Sequence, residues 1–225
     1  MENQIEEKNT EMGNVITRSE EFIRKNQKTI TIIAAAIVAV ALIIFCVVKF
    51  YVQPREQRAA DEMFYAENYY NNGDFQKALE GDDNHRGFVS LIDAYGSTKS
   101  GNLAKLYAGI ANLRLGNYDQ AVKYLKDYNG KDLYTKPIAL MAEADALAEQ
   151  ENYADAAKLY LKAAAANEND ITSPSALYKA GLCYLKLGDN ANALKAFEQL
   201  KSNYPFSYER SDSDRFIALA EAQGK

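Results

Sequence analysis

The charged and uncharged positions of the chain divide it into two parts. No charged residue lies between Lys28 and Lys49, and the intervening run, residues 29–48, is almost wholly apolar. A helix rises about 1.5 Å per residue, so about twenty residues cross the roughly 30 Å hydrocarbon core of a bilayer. Beyond this run, apolar residues recur three or four positions apart, which is the period of an amphipathic helix. The pattern predicts a transmembrane helix at 29–49, a linker at 50–58 and a helical domain at 59–223.

The apolar run has the features of a permanent membrane helix. A cleaved signal peptide has a shorter apolar core that ends at a small-x-small site, whereas this run is followed by Lys49-Phe50-Tyr51-Val52-Gln53-Pro54. A lipoprotein signal needs a small residue before its cysteine, and here Cys46 follows Phe45. Four basic residues lie close before the run and three close after it, a difference too small for the positive-inside rule to decide the orientation.

The segment before the run, residues 1–28, has a helical period of its own. On a helical wheel, one stripe is mostly apolar and comprises Met12, Val15, Ile16, Ser19, Phe22 and Ile23. Charged residues such as Glu20 and Arg24 lie outside this stripe. This pattern predicts an amphipathic tail that lies on the membrane surface or against a partner; its placement in the cytoplasm is implied only by the family resemblance given below. The alternative is a partly ordered tail whose period arises by chance.

The helical domain contains an internal repeat. Three segments, residues 109–121, 144–156 and 181–193, share a small residue near their start and an Ala at their end. The final residues Ala121, Ala156 and Ala193 are 35 and 37 positions apart. This spacing resembles the tetratricopeptide repeat, whose unit of about 34 residues is a helix–turn–helix pair. The repeat units are predicted at 101–130, 136–167 and 173–205.

The residue types within the repeat indicate how its two helices pack. The first helix of each unit is called helix A and the second helix B. Small residues are expected to let the two helices cross closely. These residues are Gly109, Ala144 and Gly181 on helix A and Ala121, Ala156 and Ala193 on helix B. Gly116 and Gly188 suit the tight turn between the helices, where positive φ costs glycine little. Large residues on helix B, Tyr124, Tyr160 and Phe197, are expected to fill the gap to the next unit.

A further unit is predicted before these three, at 59–97. Its helix A and turn cover residues 64–75, and its helix B is placed at 87–96 with Val89 aligned on Val122. Ala78 is the competing candidate for the small helix B residue, but Gly81-Asp82-Asp83 would end such a helix after one turn. Residues 74–85 are therefore interpreted as an insertion, and 209–223 as a capping helix. The predicted fold is all-α: an N-terminal transmembrane helix, then a right-handed tetratricopeptide-repeat superhelix of about four helix pairs with a C-terminal cap.

Composition narrows the function. A net charge of −5 argues against nucleic acid, because phosphate binding needs clustered Lys and Arg. A single histidine, His85, excludes a multi-histidine metal site. Residues 82–87 faintly resemble a calcium loop, but Arg86 occupies a ligand position and Asp93 replaces the bidentate Glu. No phosphate loop or nucleophile motif is present in the sequence, so we expect no enzyme activity, no cofactor and no metal.

The arrangement of tail, membrane helix and four units with an early insertion resembles the ancillary subunit family of the Sec translocon, which also includes a related cell-division coordinator domain. The strings Ala78-Leu79-Glu80-Gly81-Asp82 and, at 98–109, TKSGNLAKLYAG are similar to Bacteroidota-type members. The resemblance implies a single-pass inner-membrane protein with its N-terminus inside and its repeats in the periplasm. It also implies partners beside the SecYEG channel: translocon subunits, chaperones or unfolded clients. The opposite orientation is the alternative.

A peptide-binding groove is predicted on the helix A positions that point away from helix B. These positions are largely apolar and comprise Met63, Tyr70, Leu106, Ile110, Leu113, Met141, Ala148, Tyr178, Leu182 and Leu185. Such a groove suits extended or unfolded apolar polypeptide, and it lacks the Lys and Asn residues that would clamp a C-terminal carboxylate. Two other interpretations remain open: these residues are core, or they are buried in a homodimer. A scaffold for one folded partner in envelope assembly or cell division would instead need a charged groove.

Overall fold

A computed structural model describes residues 24–223. Most of the predicted amphipathic tail, residues 1–23, lies outside this described part. The chain divides into two compact units, Met1–Pro54 and Arg55–Lys225. They are described separately below.

The first unit contains helix α1, Gln27–Val47, followed by a π-helical segment, Val48–Val52. No residue of α1 is buried by protein. The Thr31 hydroxyl donates a hydrogen bond of 2.8 Å to the Gln27 carbonyl, so this polar group is satisfied within the helix. By length and composition the segment is apolar enough to cross a membrane, a property that permanent spans share with signal sequences.

The second unit is built from helix pairs and begins at Arg55, within the first of the helices that follow. Its elements are α2 (Gln53–Asn71), α3 (Phe75–Glu80), α4 (Phe88–Tyr95), α5 (Lys99–Arg114), α6 (Tyr118–Asp127), α7 (Thr135–Glu149), α8 (Tyr153–Ala166), α9 (Thr172–Lys186), α10 (Asn190–Asn203) and α11 (Arg210–Gln223). Consecutive helices from α4 onward pack against each other. Among residues 24–223 the only β pairing is a bridge between Gly81 and Arg86. The all-α prediction is confirmed.

The same corner turns the chain in every pair. A residue with positive φ stands there: Gly73 at 85°, Gly116 at 79°, Glu151 at 60° and Gly188 at 70°. The residues seven positions before these corners are Ala66, Gly109, Ala144 and Gly181, and those five positions after are Ala78, Ala121, Ala156 and Ala193; all are buried. The corner therefore sets the alignment of four units, in which small residues face each other where helix A crosses helix B.

This alignment corrects the prediction for unit one. Ala78 is fully buried in a core cluster with Ala66, so it is the small helix B residue of this unit and not part of an insertion. Helix B starts at Phe75, directly after the corner, and ends at Glu80, just before Gly81 with its φ of 85°. A short loop then leads to α4. The segment predicted as an insertion at 74–85 therefore contains helix B and the start of this loop, and the helix B predicted at 87–96 is the separate helix α4.

A second correction concerns unit two. Tyr124 was predicted to be the large helix B residue, but the residue packed against Gly109 is Leu125. Leu125 lies four positions after Ala121, as Tyr160 and Phe197 lie four positions after Ala156 and Ala193. Tyr124 is only partly buried and contacts the core of unit one.

The predicted linker at 50–58 is helical, and its second half is part of the domain. Arg55 donates a hydrogen bond of 2.6 Å from Nη2 to the carbonyl of Ala94. Glu56 accepts hydrogen bonds from the backbone N–H groups of Lys99 (2.6 Å) and Ser100 (2.9 Å), the first two residues of α5. A carboxylate at this place satisfies otherwise unpaired N–H groups and complements the helix dipole. Glu56 thus fixes the start of unit two to α2.

The last helix covers the end of the repeat array. Phe216 of α11 stacks on Phe197 of α10 with ring centroids 5.4 Å apart and an interplanar angle of 15°. It also meets the ring of Tyr178 edge-on at 5.7 Å. Ala220 is buried in the same cluster. Helix α11 therefore replaces the contact that a fifth unit would make, as terminal caps of repeat arrays do.

Candidate functional site

The A helices of units two, three and four, α5, α7 and α9, surround a groove of about 780 Å³. Three of the predicted binding residues line it, Ile110 and Leu113 from α5 and Met141 from α7, together with Ala148. All four are partly exposed. Each of them also packs against a buried cluster: Ile110 and Leu113 against the core of unit two, and Met141 and Ala148 against the core around Ala144 and Ala156.

The remaining predicted residues lie elsewhere. Met63 and Leu106 are only 3% and 6% exposed and belong to the cores of units one and two. Tyr70 packs in an aromatic cluster with Phe75, Phe88 and Tyr107. Tyr178, Leu182 and Leu185 pack against the buried cluster of Phe197 and Ala220 at the cap. The predicted set therefore combines groove residues with core residues, and only its central part lines the cavity.

The floor of the groove holds one satisfied cluster of polar groups. Lys179 Nζ of α9 forms an ion pair of 2.6 Å with Asp145 Oδ1 of α7. The same oxygen accepts a hydrogen bond from the hydroxyl of Tyr160, which rises from α8 between them. Burial, and then the charge of Asp145, raise the pKa of Tyr160, so the phenol stays protonated and keeps donating. This cluster joins three helices beneath the groove.

Two charged residues remain at the rim. Arg114 ends α5 and Glu149 ends α7; both line the groove and are exposed. Across the part of the chain that the structure describes, neither takes part in an ion pair. Glu149 accepts a long hydrogen bond of 3.4 Å from the hydroxyl of Tyr118. The rim thus presents one cation and one carboxylate to a bound molecule.

Two further apolar residues, Ile138 and Ile171, line the groove but were not among the predicted binding residues. Ile138 precedes Met141 by one helical turn, and Ile171 stands at the start of α9 with 67% of its surface exposed. Thr172 and Ser175 add hydroxyl groups on the same wall. Ile138 could have been predicted from its spacing to Met141, since residues three apart share a helix face. Ile171 precedes its helix and follows no period, so spacing alone could not place it.

Two residues that often carry chemistry lie outside the groove lining. Burial, and secondarily the negative charge of Asp145, raise the pKa of the Cys183 thiol to about 11, which makes it a poor nucleophile at neutral pH. His85 stacks on the ring of Tyr65 with centroids 3.6 Å apart, and its Nδ1 is 3.1 Å from Asp82. Asp82 also accepts from the backbone of Asn84 and His85, which closes the loop after α3.

Among residues 24–223, no group of three or more His, Cys, Asp or Glu side chains is arranged to hold a metal ion. The polar groups of the groove are two carboxylates, an ammonium, a guanidinium and hydroxyls. Such a set can form hydrogen bonds and ion pairs with a bound molecule.

Comparison with known protein families identifies the repeat. The family model "Tetratricopeptide repeat" matches residues 103–131 and 175–207. These two segments are units two and four, and they contribute both outer walls of the groove. No curated protein matches the chain. The chain therefore carries tetratricopeptide repeats, and its domain is of a type that mediates contacts between proteins.

Proposed function

We propose that this chain is a membrane-tethered interaction module in which the groove between α5, α7 and α9 binds an extended segment of polypeptide. The observation that carries the proposal is the groove itself: about 780 Å³ of space lined by partly exposed apolar residues at its centre and by separated charges at its rim. A surface of this kind is expected to be covered by a partner, because partly exposed apolar groups gain free energy when they are removed from water.

The shape and lining of the groove favour an extended chain as the occupant. Its walls come from three successive A helices, so a ligand that contacts all of them must run across the helices. Ile110, Leu113 and Met141 supply apolar contacts, and the partly exposed Ser175 supplies a hydroxyl that can pair with a peptide backbone. Binding through backbone and small apolar contacts tolerates many sequences, which suits unfolded clients.

The apolar helix α1 supports membrane tethering. It has the length of a bilayer span and no residue buried by the rest of the protein. Together with the resemblance to the ancillary Sec translocon family, this favours a periplasmic repeat domain close to the secretion channel, where newly translocated polypeptides or their chaperones are the clients. Retention of the full-length protein in membranes after alkaline washing tests the tether, and release into the soluble fraction would contradict it.

A scaffold that binds one folded partner in envelope assembly or cell division is the second candidate. The charges at the rim favour it, because Arg114 and Glu149 are exposed and lack ion-pair partners in the described chain. A selective scaffold uses such charges to reject wrong partners. The two candidates differ in the breadth of sequences that the groove accepts.

The test is binding of synthetic peptides to the full-length protein in lipid nanodiscs, with empty nanodiscs as the blank. Met141→Asp places a charge in the centre of the groove, where it would lose hydration on binding, so we expect affinity for apolar peptides to fall at least tenfold. Leu187→Asp is the matched control, since Leu187 is an exposed leucine at the end of α9 outside the groove lining. Unchanged affinity for Met141→Asp would contradict the proposal.

A further inference from the structure

We infer that the groove selects extended segments that carry one carboxylate and one basic side chain about three residues apart, beside an apolar residue. This inference rests on the proposed function and specifies the ligand of the same site. It is based on residues that occupy the same position in successive repeat units when the units are aligned at their positive-φ corners.

The row lies two residues before the corners of units two, three and four; the equivalent residue of unit one is the uncharged Asn71. With the corners at Gly116, Glu151 and Gly188, the equivalent residues are Arg114, Glu149 and Lys186. All three are exposed at the ends of the A helices, and their charges alternate in sign from one unit to the next. The neighbouring row, one residue earlier, is apolar: Leu113, Ala148 and Leu185. Of this row, Arg114 and Glu149 line the groove, with Leu113 and Ala148 beside them. A ligand that crosses from α5 to α7 therefore meets opposite charges beside apolar residues.

The charges of the row are available to a ligand, in contrast to those of the floor. Asp145 and Lys179 satisfy each other at 2.6 Å, and Asp145 also accepts from Tyr160. Arg114 and Glu149 form no ion pair within residues 24–223, and the long Tyr118 contact leaves carboxylate capacity on Glu149. A ligand carboxylate at Arg114 and a ligand cation at Glu149 would give each of these side chains an ion-pair partner.

The spacing of the ligand charges follows from helix geometry. Packed helices lie roughly 8–10 Å apart. In the extended polyproline II conformation a peptide advances about 3.1 Å per residue with three residues per turn, so side chains three residues apart point to the same side and lie about 9 Å apart. Such a pair therefore reaches equivalent positions on neighbouring A helices. An apolar ligand residue next to the acidic one would meet Leu113 and Ile110, which lie close to Arg114 on α5.

The experiment uses four peptides that differ only in one pair of positions, three residues apart, on an apolar background: Glu/Lys, Glu/Glu, Lys/Lys and Gln/Gln. Binding is measured on the full-length protein in nanodiscs. The wild-type protein should bind the Glu/Lys peptide roughly three- to tenfold more tightly than the other three. Arg114→Glu should shift the preference to Lys/Lys, and Glu149→Arg should shift it to Glu/Glu.

Matched controls separate a site effect from net charge. Lys123→Glu on α6 and Glu198→Arg on α10 make the same charge changes at exposed positions outside the groove lining, and they should keep the wild-type order. Equal binding of all four peptides, or a preference that Arg114→Glu leaves unchanged, would overturn the inference. If Met141→Asp still weakens all four peptides, the proposed function stands without this selectivity; if Met141→Asp weakens none, the proposed function fails as well.

Discussion

The ring of Phe197 fills the space beside the α carbon of Gly181. A Cβ added at Gly181 would lie 2.5 Å from Cζ of Phe197, closer than side chains approach each other in folded proteins. Phe197 in turn stacks on Phe216 of the cap. This contact links helix A, helix B and the capping helix, so the end of the array depends on the absence of a side chain at one position.

Gly181→Leu should therefore destabilise unit four and the cap together. Overpacking of a filled core typically costs about 1–3 kcal/mol, and repeat units depend on their neighbours. The measurement is the midpoint of chemical unfolding, with Ala191→Leu on the exposed side of α10 as the control for added volume. Gly181→Ala should also lower stability, and adding Phe197→Leu to it should recover part of that loss, because the second change removes the ring atoms that clash with the new Cβ. An unchanged midpoint for Gly181→Leu would contradict this packing.

Unit three contains an unfavourable corner residue. Glu151 has a φ of 60°, where the equivalent positions of the other units are glycines. Positive φ costs a residue with a side chain about 1–2 kcal/mol. Glycine avoids this cost but loses more conformational entropy on folding, so the net gain from the substitution is smaller. Glu151→Gly should therefore raise the free energy of unfolding by about 0.5–1 kcal/mol, measured by denaturant titration. Glu151→Ala removes the same charge but keeps the strain, so it should give no such gain. Equal effects of the two variants would show that charge, and not backbone conformation, matters here.

Much of this architecture could be predicted from the sequence, because each unit repeats the same small residues at the same spacing. Gly109, Gly181 and the alanines of helix B place the helix crossings without structural information. Ala78 was harder to place, since the glycine at 81 breaks helix B and hides its start. The alignment became clear only from the positive φ that Gly73 shares with Gly116.

The candidate site was predicted less well, for a physical reason. Helical period shows which residues share an apolar face, but it does not show what that face contacts. Leu106 and Met141 occupy equivalent positions, yet Leu106 is buried in the core of unit two while Met141 lines the groove. Tyr178 and Leu182 lie beside the cap, whose docking depends on contacts distant in sequence.

Glu56 is expected to stabilise the start of the domain. Partial burial favours its neutral form, but hydrogen bonds from Ser100 and Lys99 outweigh this and hold the pKa of Glu56 below its usual value. Such a group stabilises the fold above its unfolded pKa, and the stabilisation is lost as pH falls through the folded pKa. Glu56→Ala should cost about 0.5–2 kcal/mol at neutral pH, as helix caps do, and less in acid. Asp61→Ala, an exposed acidic residue on the same helix, should change little. Equal losses from the two variants would contradict the capping role.

Glu143 should have the opposite pH dependence. Glu143 is only 6% exposed, and the equivalent residues of units two and four are Ala108 and Ala180. Burial raises the pKa of Glu143 despite the nearby positive charges of Lys126, Lys162 and Lys136. A raised pKa gives a contribution that is full below the unfolded value and is lost as pH rises through the folded value. Glu143→Gln should therefore gain stability relative to the wild type at neutral pH, and this gain should shrink towards pH 4. The check is thermal unfolding across pH, with exposed Glu198→Gln as control. A constant difference across pH would contradict it.

The central claim, that the groove between α5, α7 and α9 holds an extended polypeptide, is tested most directly by site-specific photo-crosslinking. A photoreactive residue replaces Leu113 or Met141 in the groove, or Lys158 on the outer helix α8, in the full-length protein in nanodiscs. A labelled synthetic peptide with the Glu/Lys pair is added, and the crosslinked sites on the peptide are mapped. We predict strong crosslinks from both groove positions to residues a few positions apart on the peptide, and background labelling from position 158. Equal labelling from all three positions, or labelling from position 158 alone, would contradict the account.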